Sequence, residues 1–127
     1  MTMLRLPLPP SVNSLYANVP GKGRVRTKRY LTWLNAAGWA IKQTKPKPKK
    51  IKGNYSLWLY CERPDRRRRD LGNTLKAIED LLVEHGLVAD DSLAADIHCY
   101  WVGAGYECEV QIEAGSLAQR LAQRMAA

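Results

Sequence analysis

The segment Arg63-Pro64-Asp65-Arg66-Arg67-Arg68-Arg69-Asp70-Leu71-Gly72-Asn73 runs without a break into Thr74-Leu75-Lys76-Ala77-Ile78-Glu79-Asp80-Leu81-Leu82-Val83-Glu84-His85-Gly86. Asp70 suits an N-cap, because its carboxylate can take an orphan backbone N–H, and Gly86 suits the left-handed residue just past a helix end. The spacing therefore predicts a helix from Asp70 to His85. At about 100° per residue, Leu71, Leu75, Ile78, Leu81 and Leu82 share one arc as a buried stripe, while Asp70, Asn73, Lys76 and Asp80 share another about 120° wide. The four arginines before this helix end on a carboxylate, and Asp90-Asp91 follow it. Arginines attract phosphate, whereas gathered carboxylates repel it unless a divalent cation lies between them. The combination points to metal-assisted chemistry on a polyanion, and so to a nuclease.

Outward from this segment, Tyr55, Leu57, Leu59 and Cys61 alternate with Ser56, Trp58 and Tyr60, which predicts a strand with apolar groups on both faces and a central position. Residues 96–102 read as another strand. Residues 107–113 alternate strictly: Cys108, Val110 and Ile112 are expected to face a core, and Glu107, Glu109, Gln111 and Glu113 to face water. Leu4, Leu6 and Leu8 alternate into Pro9-Pro10, a first strand stopped by prolines. Residues 11–29, rich in Asn, Gly, Pro and basic side chains, read as a turn, after which Thr27 caps a helix with Tyr30, Leu34, Ala37 and Ile41 inward and Gly38 as a weak point. Residues 45–53 set lysines around Pro46 and Pro48 and form an exposed basic loop, too short to separate domains. Ser116 and Gln119 make a capping box for a short helix with Leu117, Leu121 and Met125 on one face. These elements predict one small α+β domain over residues 1–127, with a mixed sheet of about four strands, two main helices and a short C-terminal helix.

The formal charge of +8 favours an acidic partner. Sixteen of the twenty lysines and arginines fall within residues 22–29, 42–52 and 63–69, a clustering that argues for nucleic acid over a generally basic surface. The three cysteines, Cys61, Cys99 and Cys108, lie in apolar strand patterns without zinc or redox spacing. Reduced core thiols fit the cytoplasm, the expected location. No apolar run is long enough for a bilayer, and the proline-rich start is too short for a signal peptide, so no membrane is expected, and no small-molecule cofactor.

The run from Pro9 to Tyr16 (Pro-Pro-Ser-Val-Asn-Ser-Leu-Tyr), the segment from Pro64 to Asn73, Lys76, Asp80, and Gly86 followed by Asp90-Asp91 together resemble the RusA family of Holliday-junction resolvases. The likeness spans nearly the whole chain and is most specific from Arg63 to Asp91. It implies a homodimer that binds four-way junction DNA and makes paired nicks with Mg²⁺, Mn²⁺ substituting. By the resemblance, the catalytic residues are Asp70, Lys76 and Asp91. Asp70 and Asp91 are metal ligands with Asp90 nearby, Lys76 stabilises the phosphorane or leaving group, and Asn73 orients a metal-bound water. Arg66, Arg67, Arg68 and Arg69 are placed to hold scissile-strand phosphates, and the segment with Lys22, Arg24, Arg26 and Lys28 to grip a neighbouring duplex arm.

One position departs from the family, whose usual pattern is Asp-Leu-Asp-Asn. Here the chain has Asp70-Leu71-Gly72-Asn73, so a carboxylate of the metal cluster is missing. Helix physics gives no reason for the change, since an acid in the first turn favours the helix dipole and glycine does not favour helix. Either Asp80, Asp90 or water fills the gap, or the chain is a junction-binding protein of the same fold without catalysis. A third reading is a single-strand nucleic-acid module using exposed aromatics on a sheet. Each residue also has a plain structural role: Asp70 as a cap, Lys76 with Asp80 as an i,i+4 pair, Asp90-Asp91 as a turn, His85 as a dipole partner and His98 as a strand residue.

Overall fold

The computed structural model of the chain describes residues 1–103 and 105–126. In chain order the regular elements are β1 (Thr2–Leu6), β2 (Tyr16–Val19), β3 (Gly23–Arg26), α1 (Lys28–Gln43), β4 (Tyr55–Cys61), α2 (Leu75–Glu84), β5 (Ala94–Trp101), β6 (Cys108–Ala114) and α3 (Leu117–Ala126). Four strands form one mixed sheet in the order β1-β6-β4-β5. Strand β6 is antiparallel to both β1 and β4, and β4 runs parallel to β5, to which α2 connects it. This is the expected α+β domain with β4 inside the sheet. No described helix is long and apolar enough to cross a membrane.

One face of the sheet is dry. Tyr55, Leu57, Leu59 and Cys61 of β4, Cys108, Val110 and Ile112 of β6, and Leu4 and Leu6 of β1 are buried there. They meet Tyr30, Trp33, Ala37 and Ile41 of α1 and Ala77, Ile78, Leu81 and Leu82 of α2 in one cluster. The caps follow their sequence signals. Thr27 Oγ1 accepts the Tyr30 N–H at 3.2 Å and donates to the Ser14 carbonyl at 2.7 Å. Ser116 and Gln119 exchange the two bonds of a capping box at 3.0 and 3.2 Å, and Gly86 follows α2 at φ +69°.

Four local expectations change. Residues 11–29 hold a two-stranded hairpin, β2–β3, in place of a plain turn, with Gly21 and Gly23 at positive φ. Few of its residues favour strand; the Tyr16 ring packs edge-on against Tyr30 at 5.7 Å, and Arg24 lies 4.0 Å over Tyr16, so tertiary contacts decide. The helix begins at Leu75, because Asp70 Oδ1 takes the Gly72 N–H at 3.0 Å and tightens Leu71–Thr74 into a 3₁₀ turn. The 100° step therefore applies only from Leu75 onward. Glu109 points to the open face of the sheet yet is only 5% exposed, because β6 is an interior strand and Arg5 and Gln111 close over the carboxylate at 3.5 and 2.8 Å. Gly38 is where the His85 ring packs: a Cβ there would meet that ring at 3.4 Å.

Candidate active site

The crossover from α2 to β5 brings Lys76 and Asp91 together. Lys76 Nζ lies 3.1 Å from Asp80 Oδ1, one turn along α2, and 3.7 Å from Asp91 Oδ2, in the short turn Asp91–Leu93 that enters β5. The bond Lys76 donates to Asp80, helped by the charges of Asp80 and Asp91, holds the Lys76 ammonium above the usual lysine range, so it stays cationic. Asp90 accepts from the Ser92 hydroxyl, which keeps its carboxyl below the ordinary range.

Two further groups of this site escape the sequence reading. Glu79 lies three residues after Lys76 at the margin of the apolar stripe, half-buried. Burial pushes its carboxyl up, with Asp91 and Asp80 adding and Lys76 opposing. The Tyr55 hydroxyl is buried with no hydrogen-bond partner among the described residues. Burial, and then the charges of Glu79, Asp91 and Asp90, push it up to about 12. The signals were faint ones, an acid beside the stripe of α2 and a polar tip on the dry face of β4. Because the folded-state pKa of Glu79 is raised, its contribution to stability is full below the unfolded value of about 4.3 and is lost as pH rises through the folded value. Glu79→Gln is therefore expected to raise the melting temperature by a few degrees at neutral pH, with the gain fading towards pH 4, as thermal unfolding across pH would register.

The remaining candidates sit around this centre. Asp70 caps the turn before α2 and makes no ion pair with Lys76 among the described residues, and Asn73 lies in the same 3₁₀ turn. Arg69 is engaged within the chain: its guanidinium grips Asp65 at 3.0 and 2.6 Å, which holds the Asp65 carboxyl down to about 2. Arg66, Arg67 and Arg68 are exposed and have no carboxylate partner among the described residues, which leaves them open to phosphate. Lys22, Arg24 and Arg26 lie on the β2–β3 hairpin and Lys28 opens α1. Arg26 reaches Glu84 at 3.7 Å and ties the hairpin to the far end of α2.

The donor set is all oxygen, which suits a hard divalent cation. Among the described residues, however, no three carboxylates, histidines or cysteines stand close enough together to hold a metal ion. A Cβ at Gly72 would lie 3.4 Å from Asp70 Oδ1, so a side chain at 72 would start beside the Asp70 carboxylate. Asp70, Asp90 and Asp91 supply oxygen donors of the kind such a cation takes. A depression of about 1350 Å³ lies elsewhere, between β1 and the lysine-rich loop of residues 45–52, and includes none of Asp70, Lys76 or Asp91.

Comparison with known proteins identifies the family. The family model for Endodeoxyribonuclease RusA matches residues 7–113. A crossover junction endodeoxyribonuclease RusA of Enterobacteria phage 82 is 33% identical over 102 residues, covering 73% of this chain and 76% of that protein. One from Aquifex aeolicus (strain VF5) is 28% identical over 94 residues, covering 74% and 72%. The chain belongs to the RusA family of endodeoxyribonucleases.

Proposed function

We propose that this chain is a magnesium-dependent, structure-specific endonuclease that resolves four-way DNA junctions by paired nicks, with Mn²⁺ able to substitute. The observation that carries the reading is Lys76 beside Asp91 at the end of an arginine loop, inside a match to a nuclease family. A bound Mg²⁺ would supply Lewis acidity at the phosphorus and a water of lowered pKa. The chain's own groups do the rest. Asp70 and Asp91 offer carboxylate oxygens, and Asn73 orients water. Lys76 is positioned to neutralise charge on the phosphorane or the departing oxygen, giving 5′-phosphate and 3′-hydroxyl ends. A four-way junction has near two-fold symmetry, so the active unit is proposed to be a C2 homodimer with equivalent sites on equivalent strands. We place it in the cytoplasm, where the free thiols of Cys61, Cys99 and Cys108 stay reduced.

The deciding experiment is nicking of a synthetic four-way junction against a matched linear duplex over a magnesium titration. Junction-selective, paired, magnesium-dependent nicks are expected; equal cutting of both substrates would discard structure specificity. Binding should also fall steeply with salt. Removing Arg66, Arg67 and Arg68 together by alanine should flatten the slope of log K against log salt by about two to three. An unchanged slope would take these arginines off the phosphates.

Gly72 favours a second reading, a junction-binding member of the family without catalysis. Tight junction binding with no nicks in either Mg²⁺ or Mn²⁺ would select it.

A further inference from the structure

Two of the three thiols meet beneath the turn that precedes α2. Cys61 ends β4 and Cys108 begins β6, and the two are direct partners in the antiparallel ladder, both buried on the dry face. Nothing in their sequence spacing suggests a pair, since they stand 47 positions apart; the sheet brings their sulfurs to 4.0 Å. The Val102 N–H donates to the Cys61 carbonyl at 2.8 Å, so the Cys61 backbone turns towards β5, and the Glu62 N–H donates to the Glu107 carbonyl at 3.0 Å as the next step of the ladder. Cys61 and Cys108 therefore form a non-hydrogen-bonded pair. The Cα atoms of such a pair lie about 4.5 Å apart, inside the span of about 4.4 to 6.8 Å that a disulfide bridges.

The pair is chemically asymmetric. The hydrogen bond between the thiols, aided by the nearby Thr74 side chain, lowers the Cys61 thiol against the opposing effect of burial, whereas the same bond and burial raise Cys108. Cys61 is thus the one to reach the thiolate, the form that attacks an oxidant, and Cys108 keeps its proton. The remaining thiol, Cys99, lies half-buried on β5, opposite Leu59 and not Cys61, and burial raises it. The pair also stands where the sheet opens most readily. Because Cys61 is the last residue of β4 and Cys108 the first of β6, only the end bonds of the ladder separate the sulfurs from solvent.

Through Thr74 the Cys61 sulfur reaches the segment that carries the candidate site. Thr74 is buried and stands just ahead of α2. Its hydroxyl donates to the Leu71 carbonyl at 2.7 Å, closing the 3₁₀ turn that holds Asn73 and follows Asp70. Glu62, next in the chain after Cys61, leads into the arginines. Drawing the two sulfurs from 4.0 Å to the length of a covalent bond, about 2.05 Å, pulls Cys61 away from Thr74 and removes the thiol that faced it.

We propose that Cys61 and Cys108 are a redox modification site: hydrogen peroxide closes them into a cross-strand disulfide, which disturbs the Leu71–Thr74 turn and slows nicking. The Cys61 thiolate takes one peroxide oxygen to become a sulfenic acid, releasing hydroxide; the Cys108 thiol then displaces that oxygen, forming the S–S bond and releasing water. The two thiols lose two electrons and one peroxide gains them. A dithiol reductant reverses the step, so the reduced pair is the resting form in the cytoplasm. Closure of the disulfide is independent of the nuclease reading; its effect on nicking rests on that reading.

The test treats the folded chain with hydrogen peroxide, counts its thiols in acid denaturant and identifies linked peptides by mass after digestion. Free thiols are expected to fall from three to one, with Cys61 and Cys108 in the linked peptides and dithiothreitol restoring all three. Cys99→Ala should close the same bond, whereas Cys108→Val and Cys108→Ser, two replacements of similar size, should form none. Junction nicking is expected to fall about tenfold or more on oxidation and to recover with dithiothreitol. Under the same treatment, nicking by Cys108→Val should stay constant. Three thiols remaining, or a bond through Cys99, overturns the site. An oxidised chain that nicks at the parental rate, or a loss shared by Cys108→Val, overturns the control of the turn. A reduced chain that never nicks sinks the nuclease reading and with it the effect on nicking, and the thiol count alone then decides the disulfide.

Discussion

Asp91→Asn abolishes nicking, lowering the rate by about a thousandfold, while junction binding stays within about threefold of the parent chain: this is the expected result for the substitution with the largest loss. Asparagine keeps the volume of the side chain and removes its charge. Lys76 then loses the partner 3.7 Å away across the α2–β5 crossover but keeps Asp80 at 3.1 Å, so the helix stays intact and the lysine stays ordered. A thousandfold loss corresponds to about 4 kcal/mol of transition-state stabilisation, which removal of a surface ion pair alone does not produce. Single-turnover nicking beside a gel-shift measurement separates the two effects. A rate within a few-fold of the parent would reduce Asp91 to a turn residue and remove the site from this end of β5.

Gly72→Asp is expected to act in the opposite direction, raising turnover about tenfold or more and lowering the magnesium concentration for half-maximal rate. The added side chain would start 3.4 Å from Asp70 Oδ1, where two carboxylates repel one another until a cation joins them. Metal addition should therefore raise the melting temperature of the Gly72→Asp protein more than that of the parent, a readout independent of catalysis. The backbone offers no obstacle, because position 72 does not sit at positive φ and lies in the 3₁₀ turn just ahead of the N-terminus of α2, an end that favours an acid. Equal rates together with equal metal-induced shifts would show that position 72 is not a ligand position. The second reading, binding without cutting, would then need a different cause.

Much of the architecture was legible because it depends on local rules. The strict alternation of Cys108, Val110 and Ile112 placed β6 with its apolar side inward, and these residues are buried. Thr27, the Ser116–Gln119 box and Gly86 marked helix ends through capping chemistry that needs only a few neighbouring residues. The late start of α2 is set locally, by Asp70 on the Gly72 N–H, but where the readings of residues 11–29 and of Glu109 failed, a long-range contact had the deciding energy. The β2–β3 hairpin is held by Tyr16 against Tyr30, and Glu109 is sealed by Arg5 from the neighbouring strand. Neither contact leaves a trace in the local pattern.

The same division runs through the site. Sequence alone determined the chemical inventory: an arginine run to meet phosphate, acids at 70, 90 and 91, an amine at 76 and a missing acid at 72. Residue type and spacing along one segment are enough for that, because they fix charge and hydrogen-bonding capacity whatever the fold. Only the tertiary structure decided which of these groups meet. It set Lys76 between Asp80 and Asp91, drew Arg69 away to Asp65, and placed Glu79 and the Tyr55 hydroxyl among the acids. Those pairings depend on how a crossover and a sheet bring distant positions within a few ångströms, where coulombic and hydrogen-bond energies become large.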